Sequence, residues 1–288
     1  SKINIYSNFD KIDKIFTKKI DYTMCSIVGI EGLSPTIKII KYTKKIAIAN
    51  KETIICAWDL ISKQLNKYKT KFIPVDSEHF SIWYALKNNN FTSIDKVYLT
   101  ASGGSLLNIP MHQIGKINLK RILKHPNWEM GKKITIDSST LMNKVFEIIE
   151  AKKIFNLDYN KLEIAIHPQS YIHAIIKFTD GMIKIIAHDT TMEIPIYNSI
   201  YSSDSKKIKT KKINLSKLNN LNFRKVDEKR FPLVKILKIL PAKNSLYETV
   251  LVSANDALVE LYLKKEIKYA DIATKLIKFV KIKEFRKY

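Results

Sequence analysis

Phe72-Ile73-Pro74-Val75-Asp76-Ser77-Glu78-His79 is the stretch from which the chain is best read. An apolar run, 72–75, is followed at once by two carboxylates spaced i and i+2. If the extended geometry runs on, Asp76 and Glu78 project to the same side, because side chains alternate along a strand. Two carboxylates held side by side repel unless something positive lies between them. A hard divalent cation that takes oxygen ligands is one answer. Two exposed acids at a strand end is the other.

Working outward, residues 24–29 and 45–49 have the look of short buried strands, with a helix near 34–43 between them. After Asn50-Lys51-Glu52, the residues Ile54, Trp58, Ile61 and Leu65 recur at helical spacing. The strand 71–75 follows. Alternating strands and helices indicate a parallel α/β sheet.

Downstream the pattern changes. A strand over 95–100 ends in Ala101-Ser102-Gly103-Gly104, and a helix is expected over about 139–155. Strands follow near 162–167, 171–178 and 182–187, the last two joined by an Asp180-Gly181 turn. That dipeptide between apolar runs is a hairpin signal. The middle is therefore expected to be α+β with antiparallel pairing. Residues 202–220, rich in Ser, Lys, Asn and Asp, suggest a linker. Helical periodicity returns over 231–240, 247–264 and 269–282.

At 288 residues and 45% hydrophobic, the chain can bury a sizeable core. Its sequence has no apolar run long enough for a transmembrane helix. Its two cysteines, Cys25 and Cys56, lack metal-ligand spacing and fit a reducing compartment. The formal charge of +23 is spread along the whole chain among many isoleucines and asparagines. No basic stripe or nucleic-acid motif accompanies it, which argues against a nucleic-acid partner. Such a field does steer anionic, phosphorylated substrates. With only seven glycines, the adjacent Gly103 and Gly104, and Gly131, mark tight bends or ligand approach.

A second polar cluster is Asp137-Ser138-Ser139-Thr140-Leu141-Met142-Asn143-Lys144-Val145-Phe146-Glu147. With Ser138 or Ser139 as N-cap, Asn143, Lys144 and Glu147 share one side of a mostly apolar helix. Hydroxyls, an amide and a lysine at a helix start can hold phosphate. Glu147 could complete a cation site with Asp76 and Glu78. The plain alternative is a solvated face with a Lys–Glu pair. Between the clusters, His125-Pro126-Asn127-Trp128-Glu129-Met130-Gly131 puts an imidazole, an indole and a thioether in a loop, a lid composition. Here too a plain alternative exists, with Trp128 as a core anchor.

In order along the chain, these motifs, with Ala49-Asn50-Lys51-Glu52 and His167-Pro168-Gln169-Ser170-Tyr171-Ile172-His173, resemble the 1-deoxy-D-xylulose 5-phosphate reductoisomerase family. The resemblance spans roughly residues 20–275. It implies reduction and rearrangement of 1-deoxy-D-xylulose 5-phosphate to 2-C-methyl-D-erythritol 4-phosphate, with NADPH and Mg²⁺ or Mn²⁺. By resemblance, Asp76, Glu78 and Glu147 bind the metal, and Lys51 and Ser77 lie beside the substrate's carbonyl and hydroxyls. Ser102, Ser138, Asn143 and Lys144 form the phosphate pocket, with His125 close by. Trp128 and Met130 cover the substrate. Asn50, Glu52, Met130, Gly131 and Met192 are placed at the cofactor, and Ser170 and His173 in supporting segments. The implied protein is a homodimer of a bacterial cytoplasm or plastid stroma.

The implied architecture is a partial Rossmann-like parallel sheet over 1–75, an α+β catalytic domain over 76–201, a linker over 202–220 and a small helical domain over 221–288. The family's glycine-rich pyrophosphate turn is not found in this sequence. The expectation is therefore a fragment or divergent copy that binds sugar phosphate better than NADPH and turns over poorly alone, or an inactive remnant that binds metal and sugar phosphate but cannot hold NADPH. Val145 and Ala101 stand where the family has glycine, Ser105 where it has proline, and Asp256 where it has glutamate. Val145 could crowd the phosphate helix.

Overall fold

The computed structural model describes residues 5–287 apart from 7, 10–11, 88–92, 116, 202–206 and 244. The first part of the expected linker, 202–206, thus lies outside the described residues.

Strands β1 (Ile20–Cys25), β2 (Thr43–Ile48) and β3 (Lys71–Pro74) form a parallel sheet in the order β1-β2-β3. The helices Leu33–Ile39 and Lys51–Tyr68 make the crossovers. Ile46, Ile48, Ile54 and Ile61 are buried in their shared core. Asn50 starts the longer helix as its N-cap, its side chain accepting from the Thr53 amide at 2.6 Å. Lys69, in the left-handed region, ends it.

β1 runs four residues earlier than the expected 24–29. After Cys25 the chain leaves the sheet: Val28 is exposed, and Gly29 takes φ 73°. The Asn50 side chain binds the Ile27 and Gly29 carbonyls, so these residues are held as a loop.

Strand geometry does not continue past Val75. A helix, Ser77–Leu86, begins there, and the Asp76 carbonyl accepts the Phe80 amide at 2.7 Å. Phe80, Ile82 and Leu86 turn inward, so the apolar period after 76 is helical and not alternating. Asp76 and Glu78 consequently meet through a strand-to-helix turn and not through strand alternation.

The second sheet is mixed, in the order β7-β6-β4-β5-β8, with β4 (Ile94–Ala101), β5 (Leu162–Ile166), β6 (Ile172–Phe178), β7 (Ile183–Ala187) and β8 (Arg224–Lys225). β6–β7 is the expected hairpin, with Gly181 at φ 89°. The expected antiparallel pairing is found at β4–β6, β6–β7 and β5–β8, and β4 and β5 add a parallel pair that was not expected. The helix Met142–Phe155 crosses between them and buries Ile148 and Ala151 against the sheet.

The expected helix 139–155 is two helices, Lys132–Thr140 and Met142–Phe155, bent at Leu141 with φ 62°. Ser138 and Ser139 lie in the last turn of the first and do not cap the second. Leu141 is 2% exposed, packed with Ala101, Ile166 and Phe231, and that packing holds it in the left-handed region. The C-terminal helices Tyr247–Leu263 and Tyr269–Phe279 share a core with Ile55, Val145 and Phe146. Residues 232–238, expected as α-helical, form a 3-10 stretch opened by Pro232.

Candidate active site

β2, β3 and β4 all end at one cavity of about 260 Å³, as expected for ligand sites at the carboxyl ends of parallel strands. Lys51, Asp76, Ser77, Glu78, Ser102, His125, Trp128, Met130, Ser138, Asn143, Lys144, Glu147 and Met192 line it. Three expected cofactor residues do not. Asn50 is a buried helix cap. Glu52 pairs with Lys133 at 2.7 Å. Gly131 is the N-cap of Lys132–Thr140.

Asp76, Glu78 and Glu147 each offer an oxygen within 4.8 Å of the others. Two lysines reach into the cluster. Lys51 binds Asp76 and lies 3.3 Å from Glu147 and 3.5 Å from Glu150. Lys144 lies 2.6 Å from Glu78 and contacts Glu147. Burial disfavours ionisation of Asp76, but Lys51 and His79 outweigh it and hold its carboxyl well below the usual range. Burial and the neighbouring Glu78 push Glu147 upward, against both lysines. That residual repulsion between oxygens is what a divalent cation would relieve. The donor set of carboxylates fits Mg²⁺ or Mn²⁺.

The opposite wall is built on His125. Its Nδ1 accepts the amides of Asn127 at 3.1 Å and Trp128 at 3.0 Å. The ring is neutral near pH 7, since burial lowers its pKa to about 4. Nδ1 is thus the acceptor, and the proton sits on Nε2. Nε2 lies 3.1 Å from both Ser102 Oγ and Ser138 Oγ. Ser102 Oγ also accepts the Gly104 amide at 3.0 Å. With these donors aimed at them, both serines can point their own protons into the cavity. Met142–Phe155 begins here, bringing the positive end of its dipole, while the Asn143 side chain donates Nδ2 to Glu147 Oε1 at 2.5 Å. The arrangement suits a phosphate. Val145 is fully buried in the core and does not crowd it.

Trp128 lies in a segment without regular structure, edge-on to His173 at 6.2 Å between centroids. His173 stacks on His188 with centroids 3.6 Å apart. Burial, then His188, lowers the His173 pKa to about 3, so Trp128 rests on a neutral ring. Ser170 supports the same segment by accepting from Asn127 Nδ2 at 2.7 Å.

Two participants escaped the sequence reading. His79, one helical turn after Asp76, places Nδ1 3.2 Å from Asp76 and Nε2 2.8 Å from the Glu147 carbonyl. Glu150, one turn after Glu147, is buried beside Lys51. Burial lowers the His79 pKa, but Glu150 and Asp76 raise it to about 9. The i, i+3 spacing of each to a cluster carboxylate was the available signal.

Family profiles match three stretches: 1-deoxy-D-xylulose 5-phosphate reductoisomerase at residues 1–58, its C-terminal domain at 72–155, and the DXP reductoisomerase C-terminal domain at 189–287. The 1-deoxy-D-xylulose 5-phosphate reductoisomerase of Pelagibacter ubique is 58% identical over all of this chain and 75% of its own length. That of Sulfurihydrogenibium is 39% identical, covering 94% of this chain and 71% of its own length. The Zymomonas mobilis reductoisomerase in complex with NADPH superposes with a TM-score of 0.82 at 31% identity, over 90% of this chain and 67% of that one. A DOX-P reductoisomerase in complex with NADPH, fosmidomycin and magnesium gives 0.85 at 32% identity, over 94% and 69%.

Proposed function

The chain belongs to the 1-deoxy-D-xylulose 5-phosphate reductoisomerase family, and on that premise we propose that it converts 1-deoxy-D-xylulose 5-phosphate to 2-C-methyl-D-erythritol 4-phosphate with NADPH and Mg²⁺ or Mn²⁺. The observation that carries this is one cavity lined by a carboxylate triad, with Asn143 bound to it, and by two serine hydroxyls and a helix start. That spacing of charge suits a sugar phosphate held at both ends. The alternative of an inactive remnant draws no support from relatives that are themselves reductoisomerases.

Asp76, Glu78 and Glu147 would hold the cation, whose chemistry is to polarise the substrate carbonyl. Bound NADPH supplies the hydride. The remaining work belongs to this chain. Ser102, Ser138 and Asn143 fix the phosphate, and His125 orients both hydroxyls. Ser77, Lys51 and Lys144 place hydrogen-bond donors beside the carboxylates, where substrate oxygens come to lie. His79 and Glu150 hold Asp76 and Lys51 in register. Trp128 and Met130 exclude water from above, and Met192 and Met130 offer an apolar wall to a nicotinamide.

The test follows NADPH oxidation with 1-deoxy-D-xylulose 5-phosphate and Mn²⁺. Turnover should appear in the wild type and fall by at least about a hundredfold in Glu147→Gln, as expected when a positioned charge is lost. Lys144→Ala removes an ammonium from beside the carboxylates, where ligand oxygens come to lie, and should weaken binding of fosmidomycin, with metal present, by about tenfold or more, since a charge-assisted bond is worth ~1.5–3 kcal/mol. A calorimetric Kd unchanged in that variant would refute the placement of Lys144.

We further propose a homodimer through the face and edge of β7, where Ile183 and Ile185 are each more than half exposed. The relatives named above are bacterial, which favours a bacterial cytoplasm over a plastid.

A further inference from the structure

Lys133 is the second residue of the helix Lys132–Thr140, immediately after the Trp128–Gly131 segment. Its ammonium lies 2.7 Å from Glu52 Oε1, 2.9 Å from Asp256 Oδ1 and 3.5 Å from Asp137 Oδ2. It also sits 5.6 Å from the centre of the Phe146 ring, next to Glu147. Asn255 Nδ2 donates to Asp137 Oδ1 at 2.8 Å, so Tyr247–Leu263 grips the same helix twice. One ammonium therefore joins three helices. The helix Lys51–Tyr68 brings Lys51, Lys132–Thr140 brings Ser138, and Tyr247–Leu263 braces both.

We propose that Lys133 is a positioning residue for the reaction, a clamp that fixes the base of the Trp128 segment and the distance between Lys51 and Ser138. The inference rests on the function proposed above. Without the ammonium, Glu52, Asp137 and Asp256 face one another with no counter-charge. Their repulsion spreads the helices on either side of the cavity. Reacting groups tolerate little of this, since a misplacement of about 1 Å can cost about a hundredfold in rate. Raised carboxyl pKa values at Asp137 and Asp256, caused first by burial, are consistent with crowding around a single cation.

The test compares wild type, Lys133→Met and Lys133→Arg. Steady-state NADPH oxidation is measured at a temperature where circular dichroism shows each to be folded. Amide hydrogen exchange of peptides covering 125–140 is measured without ligands. Lys133→Met should lose about tenfold to a hundredfold in kcat. Exchange over 125–140 should accelerate at least tenfold, while peptides from β4 and β6 stay unchanged. Lys133→Arg should recover most of both. Normal kcat in folded Lys133→Met, or acceleration spread evenly over the chain, overturns the clamp. Should Lys133→Met not fold, Glu52→Ala removes the tie from Lys133 to Lys51–Tyr68, and accelerated exchange confined to 125–140 is required of it. If the wild type shows no turnover, the functional reading fails, and the exchange pattern still decides whether the clamp exists.

Discussion

His125 is half-buried and Asp137 buried, and burial moves their pKa values in opposite senses, which makes each testable. Burial lowers the His125 pKa to about 4. Unfolded histidine takes its proton near pH 6.5, so the stability His125 contributes is present above that pH and is lost as pH falls toward 4. Nitrogen-detected NMR should find Nε2 protonated, Nδ1 bare and a titration midpoint below 5. A midpoint of 6–7 would remove the argument that both serines are free to donate. For Asp137, burial raises the carboxyl pKa to about 6, against Lys133 and Asn255. The native state then holds the proton more tightly than the unfolded chain, so the contribution is full below about pH 4 and is lost as pH rises through 6. Relative to Asp137→Asn, the wild type should gain on the order of 2–3 kcal/mol between pH 7 and pH 4 in urea titrations. A difference that does not vary with pH would contradict that placement of the proton.

Elements meet at backbone positions where a single atom decides the fit. Gly104 follows β4 with φ 65°, and a Cβ there would lie 2.7 Å from the Ser138 carbonyl oxygen and 2.8 Å from Ser139 Cα. Gly103 and Gly104 were legible in the sequence as backbone that must bend or approach, and this contact is the reason. Gly104→Ala combines a left-handed penalty of about 1–2 kcal/mol with a backbone clash that must move Ser138. It should destabilise the protein by at least about 2 kcal/mol and weaken phosphonate binding about tenfold. Gly115, with ordinary φ and nothing within 4 Å of its Cβ position, is the control. Gly115→Ala should stay within about 0.5 kcal/mol of wild type. Equal effects at the two positions in paired denaturation and calorimetry would undo the steric account.

At the scale of the molecule, the five-stranded sheet is covered by helices on one face, where Ile94, Leu99, Ala174 and Ile176 are buried with Ile148 and Ala151. Ile183 and Ile185 of β7 point away from that core, and the outer edge of β7 is unpaired among the described residues. Apolar side chains beside an open strand edge favour association. Light scattering should give twice the monomer mass, and the double substitution Ile183→Lys, Ile185→Lys should give the monomer while circular dichroism stays the same. A dimer that survives the double variant places the interface elsewhere. No described helix is long and apolar enough to cross a membrane.

Local pattern determined much of this protein. Alternating apolar runs and helical spacing set out the three parallel strands, the crossover helices, the Asp180-Gly181 hairpin and the C-terminal helices, because periodicity depends only on neighbours in the chain. Ordered motifs likewise marked nearly every residue that lines the cavity. Tertiary structure alone decided the rest. Asp76 turns into a helix because Phe80 and Ile82 find a core on that side. Leu141 breaks a helix that its own spacing would continue, because Ala101, Ile166 and Phe231 hold its side chain. β4 pairs in parallel with β5 because the intervening helix carries the chain back across the sheet. Lys51 and Lys144 enter the carboxylate cluster, and Lys133 finds Glu52 and Asp256, because folding brings distant charges into places where burial makes an unpaired one too costly. Chain order carries no signal of such meetings; desolvation on folding selects them.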